Sequence, residues 1–132
     1  MALHSCIALS ANAMPADVQR ALDAALQHYG IDAVSGHFHD TYGMALANTL
    51  ASPELGIWHF DTSVAGLGGC PYAKGATGNV ASEDVVYMLH GMGIETGIDL
   101  DKLIDAGKFI SDFLGRKPHS RAANALLTKR LG

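Results

Sequence analysis

Residues 36–43 read Gly-His-Phe-His-Asp-Thr-Tyr-Gly (GHFHDTYG). Two histidines flank one phenylalanine, and an aspartate follows before a glycine-containing turn. Along a β-strand successive side chains face opposite ways. His37 and His39 therefore share one face, roughly 6.5 Å apart along the strand, while Gly36 and Phe38 take the other and pack toward helices. In βα architectures, ligands bind at the C-terminal ends of the strands. This pair lies at such an end, and two imidazoles with a common direction can hold a divalent metal. Seven histidines in 132 residues also make some close pairs a matter of chance. Taken alone, then, His-X-His is a weaker sign than its neighbours make it. Asp40 is equally suited to a turn or to a helix N-cap.

Outward from this stretch, strands and helices alternate. Pro15–Gly30 has Val18, Leu22, Leu26 and Tyr29 at helical spacing, with proline in the first turn and glycine at the stop. A short strand, IDAVSGHFHD, follows. A helix with Met44, Ala47 and Leu50 on its apolar side comes next, and Pro53 should end it near Ser52. IWHFDTSVAG reads as a second strand. From about Ser82 a third helix is expected, with Ser82 as its cap, Glu83 and Asp84 at its positive end, and Val85, Leu89 and Met92 as its stripe. A helix from Asp99 through Leu103, Ile110 and Phe113 to Gly115, and a short one over 121–130, close the chain. Such alternation predicts parallel strands with right-handed crossovers.

Between the second strand and the third helix runs GLGGCPYAKGATGN, with five glycines from Gly66 to Gly78. Glycines permit unusual backbone angles and close approach to a ligand, and they let a loop move as a lid. No Gly-Lys-Ser/Thr follows, so this is not a phosphate-binding Walker loop. Cys70 in this loop is either a tunable proton donor or acceptor or a small packed residue beside Pro71. Asn79 offers a hard carboxamide oxygen, or serves as a turn residue.

Composition narrows the remaining classes. The chain is 48% hydrophobic and 17% charged, which describes a folded domain rather than a disordered one. A formal charge of −4 with scattered lysines and arginines argues against nucleic acid and anionic membranes as partners. Two distant cysteines, Cys6 and Cys70, without CxxC spacing point to a reducing, cytoplasmic setting. The first residues carry no basic n-region, so a signal peptide is not expected, and no apolar run reaches the ~18 residues of a membrane span.

The stretches HFHDTYGMALANTL and DTSVAGLGGCPYAKGATGNVASEDVVYMLHGMGIETGIDL together resemble 3-hydroxy-3-methylglutaryl-CoA lyases, over about Pro15 to Arg116. The HxHD-T-x-G-x-A-x-A-N portion is shared with a wider superfamily of metal-dependent aldolases and condensing enzymes. GLGGCPYA is much narrower. The resemblance implies an α/β fold, a partial (β/α)8 barrel made of the last two βα units plus C-terminal helices. Residues 1–14 stand outside it as an unmatched segment, and 15–132 form the C-terminal part of the barrel.

It also implies Mg²⁺ or Mn²⁺ bound by His37, His39 and Asn79, with His37 also transferring a proton. Cys70 would be the catalytic loop cysteine and Glu83 an acidic residue near the site. The implied reaction is carbon–carbon cleavage of an acyl-CoA thioester, 3-hydroxy-3-methylglutaryl-CoA, to acetyl-CoA and acetoacetate. The family's first six strands, with an aspartate ligand and an arginine on the first, have no counterpart here. Impaired activity, self-association through exposed strand edges, or a non-catalytic half-barrel needing a complementary chain are the corresponding expectations. Another aldolase of the same superfamily is a further alternative.

Overall fold

The computed structural model describes residues 5–8, 13–70 and 73–131; for 5–8, 70, 73–77 and 131 it describes the backbone alone. The fold is α/β and resolves into two compact units, one of residues 1–61 and 69–79, the other of 62–68 and 80–132.

The first unit is built on a parallel sheet of three strands in the order β1 (Ser5–Ala8), β2 (Val34–His37), β3 (His59–Asp61). Sequence patterning predicts only two of these. Ser5–Ala8, in the segment that the sequence resemblance leaves unmatched, pairs with β2 residue for residue, from Ser5 beside Val34 to Ala8 beside His37. Four residues are too few to display a period, so only pairing makes this stretch a strand.

Helix α1 (Pro15–Ala25) follows β1, and α2 (Ala45–Ala51) links β2 to β3. Val18 and Leu22 are buried, but Leu26 and Tyr29 are exposed, so the helix ends at Ala25, short of Gly30. Helix α2 ends at Ala51, with Ser52 as its C-cap, as the proline requires. Pro53–Leu55 then forms a 3-10 turn closed by Gly56 at φ 88°. Asn48 of α2 donates its amide to the carbonyl of Ala13 at 3.0 Å, a buried tie between α2 and the lead into α1. Val34, Ser35 and Gly36 are all buried, as expected of a parallel strand covered on both faces.

The glycine-rich stretch is more regular than a loop. Its β4 (Gly69–Cys70) and β5 (Ala73–Thr77) form an antiparallel ribbon with a register irregularity at Gly69/Cys70.

The second unit holds α3 (Ser82–Gly91), α4 (Leu100–Phe113) and α5 (Arg121–Leu131). Ser82 is not the cap of α3. Ala81 occupies that position, and the Ser82 hydroxyl instead shares a 2.7 Å hydrogen bond with that of Thr62. The buried part of α3 is its first turn, from Glu83 to Val86; Met92 is exposed. Helix α4 is capped by Asp99, whose Oδ1 accepts the Lys102 N–H at 3.1 Å. Its buried face carries Ile104, Gly107 and Ser111, while Phe109 and Phe113 are exposed. Arg130 of α5 bonds Asp101 and Asp105 of α4 on the surface. None of the described helices is long and apolar enough to cross a membrane.

Candidate metal and catalytic site

The end of β2 realises the alternation that its sequence predicts. The rings of His37 and His39 lie side by side, centroids 5.3 Å apart at 62°. Both residues are partly buried. Phe38, between them, is 2% exposed and lies 6.3 Å from the Phe60 ring. A Cβ on Gly36 would stand 2.9 Å from Cζ of Phe38 and 3.1 Å from Cδ1 of Phe60. Glycine at 36 is therefore what lets Phe38 fold back into the core while the histidines keep the other side.

Asn79 is brought to the same place by the backbone. Residues His39 and Asn79 form an isolated antiparallel bridge, and the Asp40 N–H donates to the Gly78 carbonyl at 2.8 Å. Asp40 is a turn residue and not the N-cap of α2, which is Met44, although its Oδ1 does accept the Ala45 N–H at 3.0 Å, at the first residue of that helix. Its carbonyl closes the turn at Gly43, whose φ of 75° suits glycine.

Burial lowers the His39 pKa, and the neighbouring His37 lowers it further. Both effects favour neutral imidazole, the form that binds metals. Two imidazoles and an amide oxygen are a donor set that fits a divalent cation, with further positions left to other ligands. Among the described residues no three His, Cys, Asp or Glu side chains are grouped to hold a metal ion.

Two further candidates are Cys70 and Glu83. Cys70 has its backbone in β4, paired with Ala73; its side chain, and residues 71 and 72, lie outside the described residues. Gly69 of that strand pairs with Thr77, just before the segment that reaches His39. Glu83 belongs to the second unit and is fully buried. Both of its carboxylate oxygens accept the Ala65 N–H, at 2.9 and 3.0 Å. Burial pushes this carboxyl above the ordinary carboxylate range, against the pull of the Glu83 and Ala65 N–H groups. Sequence spacing does not reveal Asp84 as a partner of α5. Its Oδ1 accepts from Ser120 Oγ and the Ala122 N–H, a long-range cap that only the fold assembles.

A sequence profile of the HMGL-like family matches residues 9–110, beginning upstream of Pro15.

The chain belongs to the HMGL-like family.

It is 59% identical over 111 residues to a 3-hydroxy-3-isohexenylglutaryl-CoA/hydroxy-methylglutaryl-CoA lyase of Pseudomonas aeruginosa, covering 84% of this chain and 37% of that protein. It is 59% identical over 112 residues to the mitochondrial hydroxymethylglutaryl-CoA lyase of Arabidopsis thaliana, covering 85% of this chain and 24% of that one. A crystal structure of the P. aeruginosa hydroxymethylglutaryl-CoA lyase superposes with a TM-score of 0.91 at 51% identity, over 96% of this chain and 43% of that one. A lyase from Acinetobacter baumannii in complex with coenzyme A and 3-methylmalate gives a TM-score of 0.81 at 40% identity, over 91% of this chain and 40% of that one. This HMGL-like chain thus spans well under half the length of the relatives it matches.

Proposed function

We propose that this HMGL-like chain carries the metal-binding and proton-transfer part of a hydroxymethylglutaryl-CoA lyase. The reaction is cleavage of 3-hydroxy-3-methylglutaryl-CoA to acetyl-CoA and acetoacetate, a step of leucine degradation. In this reading the three strands and their helices belong to a (β/α)8 barrel, of which β2 and β3 head the last two βα units. The observation that carries it is the pairing of the His37 and His39 rings beside the backbone of Asn79. The activities for which its relatives are named, and the coenzyme A complex of one of them, support it.

His37, His39 and Asn79 would hold Mg²⁺ or Mn²⁺, which when bound supplies Lewis-acid polarisation of the substrate's oxygens. His37 accepts the proton of the tertiary hydroxyl. The C2–C3 bond then breaks, its electron pair passing into an enolate on the acetyl-CoA side as the alcohol carbon becomes a ketone. The Cys70 thiol delivers a proton to the enolate carbon, while the glycine-rich ribbon excludes water. Glu83 is the further acidic residue of this reading. A cytoplasmic setting is part of the proposal, although several relatives are named mitochondrial.

Two measurements test it. Titration of the chain with Mn²⁺, followed by loss of the free-ion paramagnetic signal, should show one saturable site, and no binding would sink the reading. In an active preparation, Cys70→Ala should lower turnover by about 10²–10⁴-fold with Mn²⁺ affinity intact. Unchanged turnover removes Cys70 from the mechanism.

A further inference from the structure

Between β3 and β4 the chain makes one tight turn, Val64–Gly66. At its centre Ala65 has φ 55° and ψ 17°, and it is the only non-glycine residue with positive φ among the described residues. A Cβ disfavours this conformation, so the surroundings must hold it. Each side of the residue is held. Its N–H donates to both oxygens of Glu83, its carbonyl accepts the His119 N–H at 3.1 Å, and the residue is 1% exposed.

The carboxylate is itself held. Glu83 has no exposed surface, and a Cβ on Gly107 of α4 would stand 2.3 Å from its Oε1. Helix α4 thus has a glycine in mid-helix where a side chain would strike the carboxylate. Gly66, Leu67, Gly68 and Gly69 then lead directly to Cys70.

We propose that Glu83 is a positioning residue: seated against Gly107, it locks Ala65 in the left-handed turn and so holds the backbone of residues 64–68, the segment that precedes Cys70 in the chain. A buried carboxylate with both oxygens on one backbone N–H is placed to hold the backbone, not to exchange protons with a substrate. The lock is a property of the second unit. Its consequence for catalysis rests on the lyase reading.

The test uses the full chain and four substitutions: Glu83→Ala, Glu83→Gln, Gly107→Ala and Ala65→Gly. Two quantities are read by peptide-resolved mass spectrometry: amide hydrogen exchange over residues 64–69, and alkylation of Cys70 by iodoacetamide. Exchange in α5 reports whether each protein remains folded. Glu83→Ala should speed exchange over 64–69 by about tenfold and change the Cys70 alkylation rate. Glu83→Gln keeps a carbonyl oxygen for the Ala65 N–H, and its exchange should stay within about threefold of the parent. Gly107→Ala keeps the carboxylate but displaces it, and should loosen the same segment. Ala65→Gly removes the strained Cβ and should shrink the effect of Glu83→Ala.

Parent-like exchange in folded Gly107→Ala overturns the proposal. So does a Gln variant as loose as the Ala variant, or additivity of Ala65→Gly with Glu83→Ala. Failure of the parent chain to bind Mn²⁺ counts against the lyase reading and leaves these exchange results as they stand.

Discussion

Asp84, in the first turn of α3, accepts the hydroxyl of Ser120 at the start of α5, Oγ to Oδ1 2.7 Å. The same carboxylate takes the Ala122 N–H at 2.8 Å and the Arg121 N–H at 3.2 Å, satisfying donors that the first turn of α5 cannot satisfy itself. Asp84 is 8% exposed and Ser120 fully buried. Removing the carboxylate would strand several donors at once. Asp84→Ala should cost about 3 kcal/mol and Asp84→Asn less, because one acceptor survives. Urea unfolding checks this: the midpoint should fall with the slope unchanged.

The paired histidines predict a second outcome. If His37 and His39 are ligands, replacing either by alanine should weaken Mn²⁺ binding by more than about 100-fold. Loss of an outer-shell partner alone typically costs about 10–100-fold. His28→Ala, altering an exposed histidine beyond the end of α1, should bind like the parent. Equal affinities in all three variants would remove the proposed centre.

Glu83 predicts a pH dependence. Burial raises its carboxyl in the folded protein, opposed by the backbone N–H groups of Glu83 and Ala65, with the charge of Asp84 adding to the rise. The folded state therefore binds this proton more tightly than the unfolded chain does. The associated stability is complete below the unfolded pKa and is lost as pH climbs through the raised folded value. Glu83→Gln cannot titrate. The unfolding free energy of the parent minus that of Glu83→Gln should therefore fall as pH climbs from the unfolded carboxyl value, about 4.3, through the raised folded one. A flat difference across that range contradicts the assignment.

Gly36→Ala should be destabilising out of proportion to its size. The added methyl meets Phe38 and Phe60 together, at 2.9 and 3.1 Å. Overpacking of this kind costs about 1–3 kcal/mol. Thermal unfolding measures the loss, and Phe38→Leu in the same chain should return part of it.

The histidine pair was legible in the sequence because strand alternation depends only on neighbouring residues, and nothing between Gly36 and His39 disturbs it. Pro53 was legible for the same reason, since its ring and missing N–H act locally. Ser5–Ala8 was not: it is a strand through its pairing with Val34–His37, a partner that lies beyond a whole helix. The exposed Phe109 and Phe113 share that cause in reverse. Spacing alone identifies an apolar stripe on α4, but the face that is buried is set by what packs on it, at Ile104, Gly107 and Ser111. Glu83 reads as a first-turn acid near a site. Its hold on Ala65 and its fit against Gly107 join residues far apart in the chain, and no local pattern announces them.

The hydrogen atom that stands in place of a side chain at Gly36 leaves its space to two aromatic rings, so positions 36, 38 and 60 cannot drift independently. A lineage that acquires a methyl at the first must trim one of the other two before or with that change, and an intermediate carrying only the larger residue would fold poorly. Substitutions here should be inherited as compensated sets, which makes this trio a natural place to look for paired replacements when such chains are diversified in the laboratory.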